Sequence, residues 1–262
     1  REGGQFELWK KNPQVHRLGI TQLLLVIQEN FVFTISYDQC LRGFDAANGG
    51  EFLCIKNPNK CLYTSLFWDE TSQELLVADE AGYIGVLNVY VENPIAWEQI
   101  IEQKIVKIEM VRQDLLLIAS EASIFVYRIK KGTRNQDMMG HTGAILQLLT
   151  LDPVKLVGQN QNEKPRVVSA SMDNTIRLWD SGEMTTLNVL ESPENSEVTC
   201  MEFLESPCLL ATGHEDGVIR LWNLEIATNI VLKTEDPKLM HSNTITAIKA
   251  ACFKDCEFLL ST

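Results

Sequence analysis

Apolar and polar residues alternate with a period of two along much of this chain, as from Thr175 to Trp179 and from Val218 to Trp222. That period marks strands with one buried face. Turn residues close such runs, with Asn48-Gly49 and Ser181-Gly182 as examples. No long amphipathic helical pattern competes with them, so the sequence predicts an all-β fold.

The strand pattern also repeats. VVSASMDNTIRLWD, ending at Asp180, and LLATGHEDGVIRLWN, ending at Asn223, carry their tryptophans 43 residues apart. In the first, Ser169 stands four before Asp173 and Trp179 six after it; in the second, Thr212, Asp216 and Trp222 keep the same offsets. A period of roughly 40 to 45 residues fits one four-stranded sheet per repeat. The same ruler on FVFTISYDQCLRGFD gives Thr34, Asp38 and then Phe44, an aromatic without an indole donor. His16, His141 and His241 each lie four residues before an isoleucine, just ahead of the apolar strand that precedes a hairpin. Weaker copies place Leu87, Tyr127 and Trp9 at the tryptophan station, giving successive spacings of 35, 43, 40, 52 and 43 residues. The polar run GQNQNEK, Gly158 to Lys164, widens the longest repeat and is expected to be an exposed loop between the first two strands of its sheet.

These residues resemble the WD-repeat family of β-propellers, through Gly140-His141 with Trp179-Asp180 and Asp216-Gly217 with Trp222-Asn223. The match is close over the last 120 residues and faint from Glu51 to Lys131. The resemblance implies one propeller over residues 1–262, built of four-stranded antiparallel blades. Residues 241–262 supply two inner strands without a tryptophan strand, and Arg1 to Trp9 the reverse. Seven blades, one of them partly beyond this chain, are the expectation; six is the alternative, if the two ends complete one another. Beginning at Arg1 and stopping at LLST, the chain is expected to be a piece of a longer one.

His141, Ser169 and Asp173 have the composition of a nucleophilic triad. An active site occurs once, yet His16, Thr34 and Asp38 occupy the same stations in another repeat. The resemblance assigns the set to a buried structural network, in which Asp173 holds His141, His141 holds Ser169, and Ser169 meets the indole of Trp179. The set with Phe44 lacks the indole, and the set with Thr212, Asp216 and Trp222 has Glu194 in the histidine's place. Both are expected to be incomplete and weaker. His214 is left as the spare histidine, too little for a catalytic metal, and no enzyme, cofactor or metal is expected.

The chain has 45% hydrophobic and 22% charged residues, enough apolar content for a large core, and a net charge of −12 from 23 basic against 35 acidic residues. That balance argues against nucleic acid as the main partner. Seven cysteines without a CxxC pair suggest reduced core thiols and a cytoplasmic protein, and no apolar run is long enough to span a membrane. Arg128, Lys130, Lys131 and Arg134 form the basic cluster, expected to be a solvated loop. The function implied is a non-catalytic scaffold for other proteins within a multi-subunit complex, with a permanent structural role in a cytoskeletal or ciliary assembly as one alternative and a propeller enzyme or small-molecule receptor as a remote second. Tyr37, Met172 and Glu215, each just before the turn aspartate, are the candidate partner-facing residues.

Overall fold

The computed structural model describes residues 15–91, 94–112, 114–151, 165–205, 208–232, 241–253 and 256–262. Trp9 and the insertion from Gly158 to Lys164 lie outside them. The chain divides into two compact units, residues 1–102 and 103–262.

The first unit holds two four-stranded antiparallel sheets. One consists of β1 (Ile20–Val26), β2 (Phe31–Ser36), β3 (Cys40–Asp45) and β4 (Glu51–Lys56); the other of β5 (Tyr63–Asp69), β6 (Glu74–Asp79), β7 (Tyr83–Leu87) and β8 (Pro94–Gln99). In the second unit, β9 (Lys107–Arg112), β10 (Leu115–Ser120) and β11 (Ser123–Arg128) form a three-stranded meander. Its outer edge carries two short strands, β12 (Thr133–Arg134) and β13 (Met138–Met139), which both pair with β11. Two full sheets follow: β14 (Ile145–Leu151), β15 (Arg166–Ser171), β16 (Thr175–Asp180) and β17 (Thr185–Glu191), then β18 (Val198–Leu204), β19 (Leu209–His214), β20 (Ile219–Asn223) and β21 (Thr228–Val231). The hairpin β22 (Ile248–Phe253) and β23 (Cys256–Ser261) ends the described chain. Among the described residues the helical segments are short 3-10 turns.

The period-two pattern becomes two cores per strand. On β15, Val167 packs toward the preceding sheet with Leu117, Val126 and Trp179, while Val168 and Ala170 pack toward the following one with Leu210 and Trp222. A sheet with both faces buried needs apolar residues on both, which is why β2, β6, β10 and β15 are nearly all buried. In the first unit one core shared by the two sheets gathers Phe33, Leu41, Tyr63, Leu66 and Val77.

Irregularities recur in register too. The first strand of four sheets bulges at one station, between Ile20 and Gln22, Tyr63 and Ser65, Ile145 and Gln147, and Val198 and Cys200. Each bulge adds a residue on one strand and re-aims its neighbours. In two sheets the following glutamine reaches across to the next sheet: Gln22 Oε1 accepts from Leu66 N at 3.1 Å, and Gln147 Nε2 donates to Thr199 O at 3.0 Å.

The thiols depart from expectation. Of the cysteines with described side chains only Cys200 is buried; Cys54 is exposed, and Cys40, Cys61 and Cys208 lie between. Cys54 sits on β4, the solvent-side strand of its sheet, and Cys40 opens β3 beside a turn.

Candidate functional site

In three of the sheets the tight turn between the second and third strands carries an aspartate, at positions 38, 173 and 216. Its carboxylate accepts the backbone N–H two residues on: Asp38 from Cys40 at 3.1 Å, Asp173 from Thr175 at 2.9 Å and Asp216 from Val218 at 2.9 Å. The residue between is left-handed each time, Gln39 at φ 64°, Asn174 at 62° and Gly217 at 76°. At Gly217 a Cβ would stand 2.8 Å from Asn243 O and 2.9 Å from His241 O, so glycine is required there.

Behind the turn of β15 and β16, the structure brings His141, Ser169, Asp173 and Trp179 together. His141 Nδ1 is 2.9 Å from Asp173 Oδ2, His141 Nε2 is 2.7 Å from Ser169 Oγ, and Trp179 Nε1 donates to Ser169 Oγ at 2.8 Å. The indole can only donate and the carboxylate only accept. The chain of protons is thereby fixed: Trp179 donates to Ser169, Ser169 to Nε2, and Nδ1–H to Asp173. Burial foremost, and the neighbouring Arg177, push the His141 imidazole below its ordinary value, so it is neutral as this pattern needs. Burial alone would raise the Asp173 carboxyl, but hydrogen bonds from Thr175, Thr142 and His141 overcome it and hold it well below the usual range.

In the first unit His16 Nδ1 lies 3.0 Å from Asp38 Oδ2 and His16 Nε2 lies 2.8 Å from Thr34 Oγ1. Phe44, 8% exposed, fills the aromatic station without a bond to the hydroxyl. In the last hairpin His241 Nε2 lies 2.7 Å from Ser261 Oγ.

The set at Thr212 differs from expectation. Glu194, in the loop position, takes no part; it lies in a 3-10 turn with φ 61°. His214, read from the sequence as spare, is fully buried, and its Nε2 lies 2.8 Å from Thr212 Oγ1, which accepts from Trp222 Nε1 at 2.8 Å. Its Nδ1 donates to Ser196 O at 3.2 Å. Side chains two apart on a strand share a face, so His214 reaches the same hydroxyl from within β19 that His141 reaches from a loop. The network is complete by another route, and Asp216 pairs with Arg220 at 2.9 Å instead. Burial first and Arg220 second push the His214 imidazole down to about 4.

The same strand station carries a substitute in the sheet of Leu87, where the polar set is otherwise lost. Asp79, fully buried, accepts from Asn57, Asn59 and the backbone of Ala81 and Tyr83 at 3.2, 2.9, 2.9 and 3.0 Å. The signal in the sequence was a polar residue two after the Ser/Thr station, at Asp79 and His214, inside an apolar strand. Tyr127, in the reduced meander, is half-buried on β11.

Of the candidate partner-facing residues, Tyr37 is 57% exposed, Met172 49% exposed, and Glu215 is exposed. Their backbones are held alike: the N–H of Tyr37 donates to Gly19 O at 3.1 Å, that of Met172 to Ala144 O at 2.9 Å, and that of Glu215 to Glu197 O at 3.0 Å. Two of the four basic residues are paired, with Arg128 3.5 Å from Asp114 and Arg134 bound to Asp137 and stacked over Phe125. Lys130 and Lys131 remain exposed on a 3-10 turn.

A family described as WD domain, G-beta repeat matches residues 132–180 and 184–223. These spans take in both of the complete networks that end on an indole. Over these two repeats the chain is of the WD-repeat type. It is 25% identical over 136 residues to Autophagy-related protein 16 of Arabidopsis thaliana, covering 52% of this chain and 24% of that protein. Similarity to Apoptotic protease-activating factor 1 of Homo sapiens is 26% over 151 residues, or 56% of this chain and 11% of that one. The SIR4-interacting protein SIF2 of Saccharomyces cerevisiae is 30% identical over 132 residues, covering 50% and 22%. The match spans about a quarter or less of each relative's length.

Proposed function

We propose that this chain is a non-catalytic interaction scaffold that presents its turn residues to other proteins in a cytoplasmic multi-subunit complex. The observation that carries this reading is the pairing of exposed side chains with pinned backbones at Tyr37, Met172 and Glu215. An anchor whose backbone is already ordered loses less entropy on binding, and aromatic and Met side chains are favoured at the centre of interfaces. The relatives are consistent with it, since one of them is named for an interaction with another protein.

The triad geometry at His141, Ser169 and Asp173 supports structure over catalysis. A nucleophile must be reached by substrate. Ser169 is fully buried and its oxygen already accepts from Trp179.

The test is co-purification followed by mass spectrometry, comparing wild type with Tyr37→Ala, Met172→Ala and Ser169→Ala. Tyr37→Ala or Met172→Ala should lose defined partners at unchanged melting temperature. Ser169→Ala should lower the melting temperature and keep the partners when assayed below it. Retention of every partner by both turn variants defeats the reading, as does a hydrolytic activity that Ser169→Ala abolishes.

A further inference from the structure

At the strand ends opposite Tyr37, four turns of the first unit are tied into one surface: residues 27–30, 46–50, 70–73 and 88–91. Ala46 N donates to Asn30 O at 2.6 Å, Gln28 Nε2 to Glu70 Oε1 at 3.1 Å, Gln73 Nε2 to Glu29 Oε1 at 3.2 Å, and Tyr90 Oη to Glu29 Oε2 at 3.2 Å. Beneath them an aromatic cluster climbs out of the core. Phe33 is fully buried; Phe31, half-buried, has its ring centre 4.8 Å from that of Phe52 and 6.1 Å from that of Tyr90. At the surface Phe52 is 39%, Val91 55% and Tyr90 61% exposed. Bulky apolar side chains grouped this way mark interaction sites more often than scattered ones do.

The charge on these turns has one sign, and the nearby Arg42 is paired to Glu51. The four turns and the aspartates that open two of them carry Glu29, Asp45, Asp69 and Glu70, with no Lys or Arg. Glu29 and Glu70 are oriented by neutral donors, and no cation of the described residues pairs with either. Their negative charge is therefore aimed, with no cation among the described residues to compensate it.

We propose that this surface docks a basic amphipathic segment of another protein, its bulky apolar side chains seated on Phe52, Tyr90 and Val91 and its Lys or Arg residues facing Glu29 and Glu70. The aromatics supply the desolvated anchor. The carboxylates supply orientation and speed of encounter more than affinity. This surface is separate from the one that carries Tyr37, and the two are tested apart.

The probes are three labelled synthetic peptides, an amphipathic Lys/Leu helix, a Glu/Leu helix of the same pattern and a Lys/Ser peptide, titrated by fluorescence anisotropy against the full chain. The Lys/Leu helix should bind saturably and weaken with salt, and the other two should bind far less. Tyr90→Ala and the double variant Glu29→Lys/Glu70→Lys should each weaken it roughly tenfold, while Glu29→Gln/Glu70→Gln separates lost charge from altered fold and should also weaken it. Tyr37→Ala should change nothing, so failure here leaves the turn-face reading standing. Equal binding of the Glu/Leu helix, or equal Lys/Leu affinity across the variants at matched melting temperatures, overturns the proposal. Concentration-dependent dimerisation that Tyr90→Ala abolishes, without peptide preference, also overturns it and assigns the surface to a second copy of the chain.

Discussion

Replacing His214 by Gln should flatten the acid sensitivity of this protein. The ring sits with no exposed surface between Thr212 and Ser196 O, donating through Nδ1 and accepting through Nε2, an arrangement open only to the neutral imidazole. In an unfolded chain histidine takes up its proton near pH 6.5; in the folded protein this one stays neutral down to about 4. Across that window the unfolded state binds more protons, so stability is complete above about pH 6.5 and falls as the pH drops toward 4. The full shift corresponds to about 3 kcal/mol, of which about 2 kcal/mol is lost by pH 5. Urea unfolding followed by tryptophan fluorescence at pH 8 and pH 5 reads it directly. Wild type should be more stable than His214→Gln at pH 8, and the gap should narrow by about 2 kcal/mol at pH 5. The comparison cancels the other titrating groups, among them His141, because both proteins carry them. Parallel losses in the two proteins would refute the neutral-imidazole argument.

Trp179→Ala should cost more stability than Phe44→Ala in the same assay. Each creates a cavity worth roughly 3 to 5 kcal/mol, but only the first strips Ser169 of its indole donor, adding roughly 1 to 3 kcal/mol; equal midpoint shifts would count against the network. Gly85→Ala should destabilise by roughly 1 to 3 kcal/mol, because its Cβ would fall 2.2 Å from the Trp97 ring. Shrinking that ring with Trp97→Leu in the Gly85→Ala background should recover part of the loss in thermal melts, and no recovery would place the strain elsewhere.

The repeat ruler made the strands legible because each sheet buries both faces and fixes side-chain direction every second residue. Ser169, Asp173 and Trp179 fell at constant offsets for the same reason: the hairpin that joins them tolerates no change in length. His214 and Asp79 were not legible that way. Each does from within a strand what the repeat pattern places elsewhere, and a ruler measured on one sheet has no station for a group arriving from another direction. What remained visible was a buried-type strand holding a polar residue with no stated partner. The outer strand of the meander was obscured differently, since Ile129 to Lys131 turn back and leave β12 and β13 to share the edge of β11. The docking surface around Tyr90 depends on turns brought together by folding, and neither its aromatics nor its carboxylates form a motif along the chain.

The division of β15 and of β19 between two cores bears on how the protein comes apart. A single sheet lifted from its neighbours would expose apolar residues on both faces at once, so it has no core to keep it folded alone. Cooperativity in each unit must then be carried by adjacent sheets, as in a one-dimensional chain of nearest-neighbour couplings. The glutamines at positions 22 and 147 join the first strands of successive sheets by hydrogen bonds, adding a polar tie to those apolar couplings. The smallest piece able to hold its shape is a neighbouring pair, and damage to one sheet loosens the next before it reaches any sheet beyond.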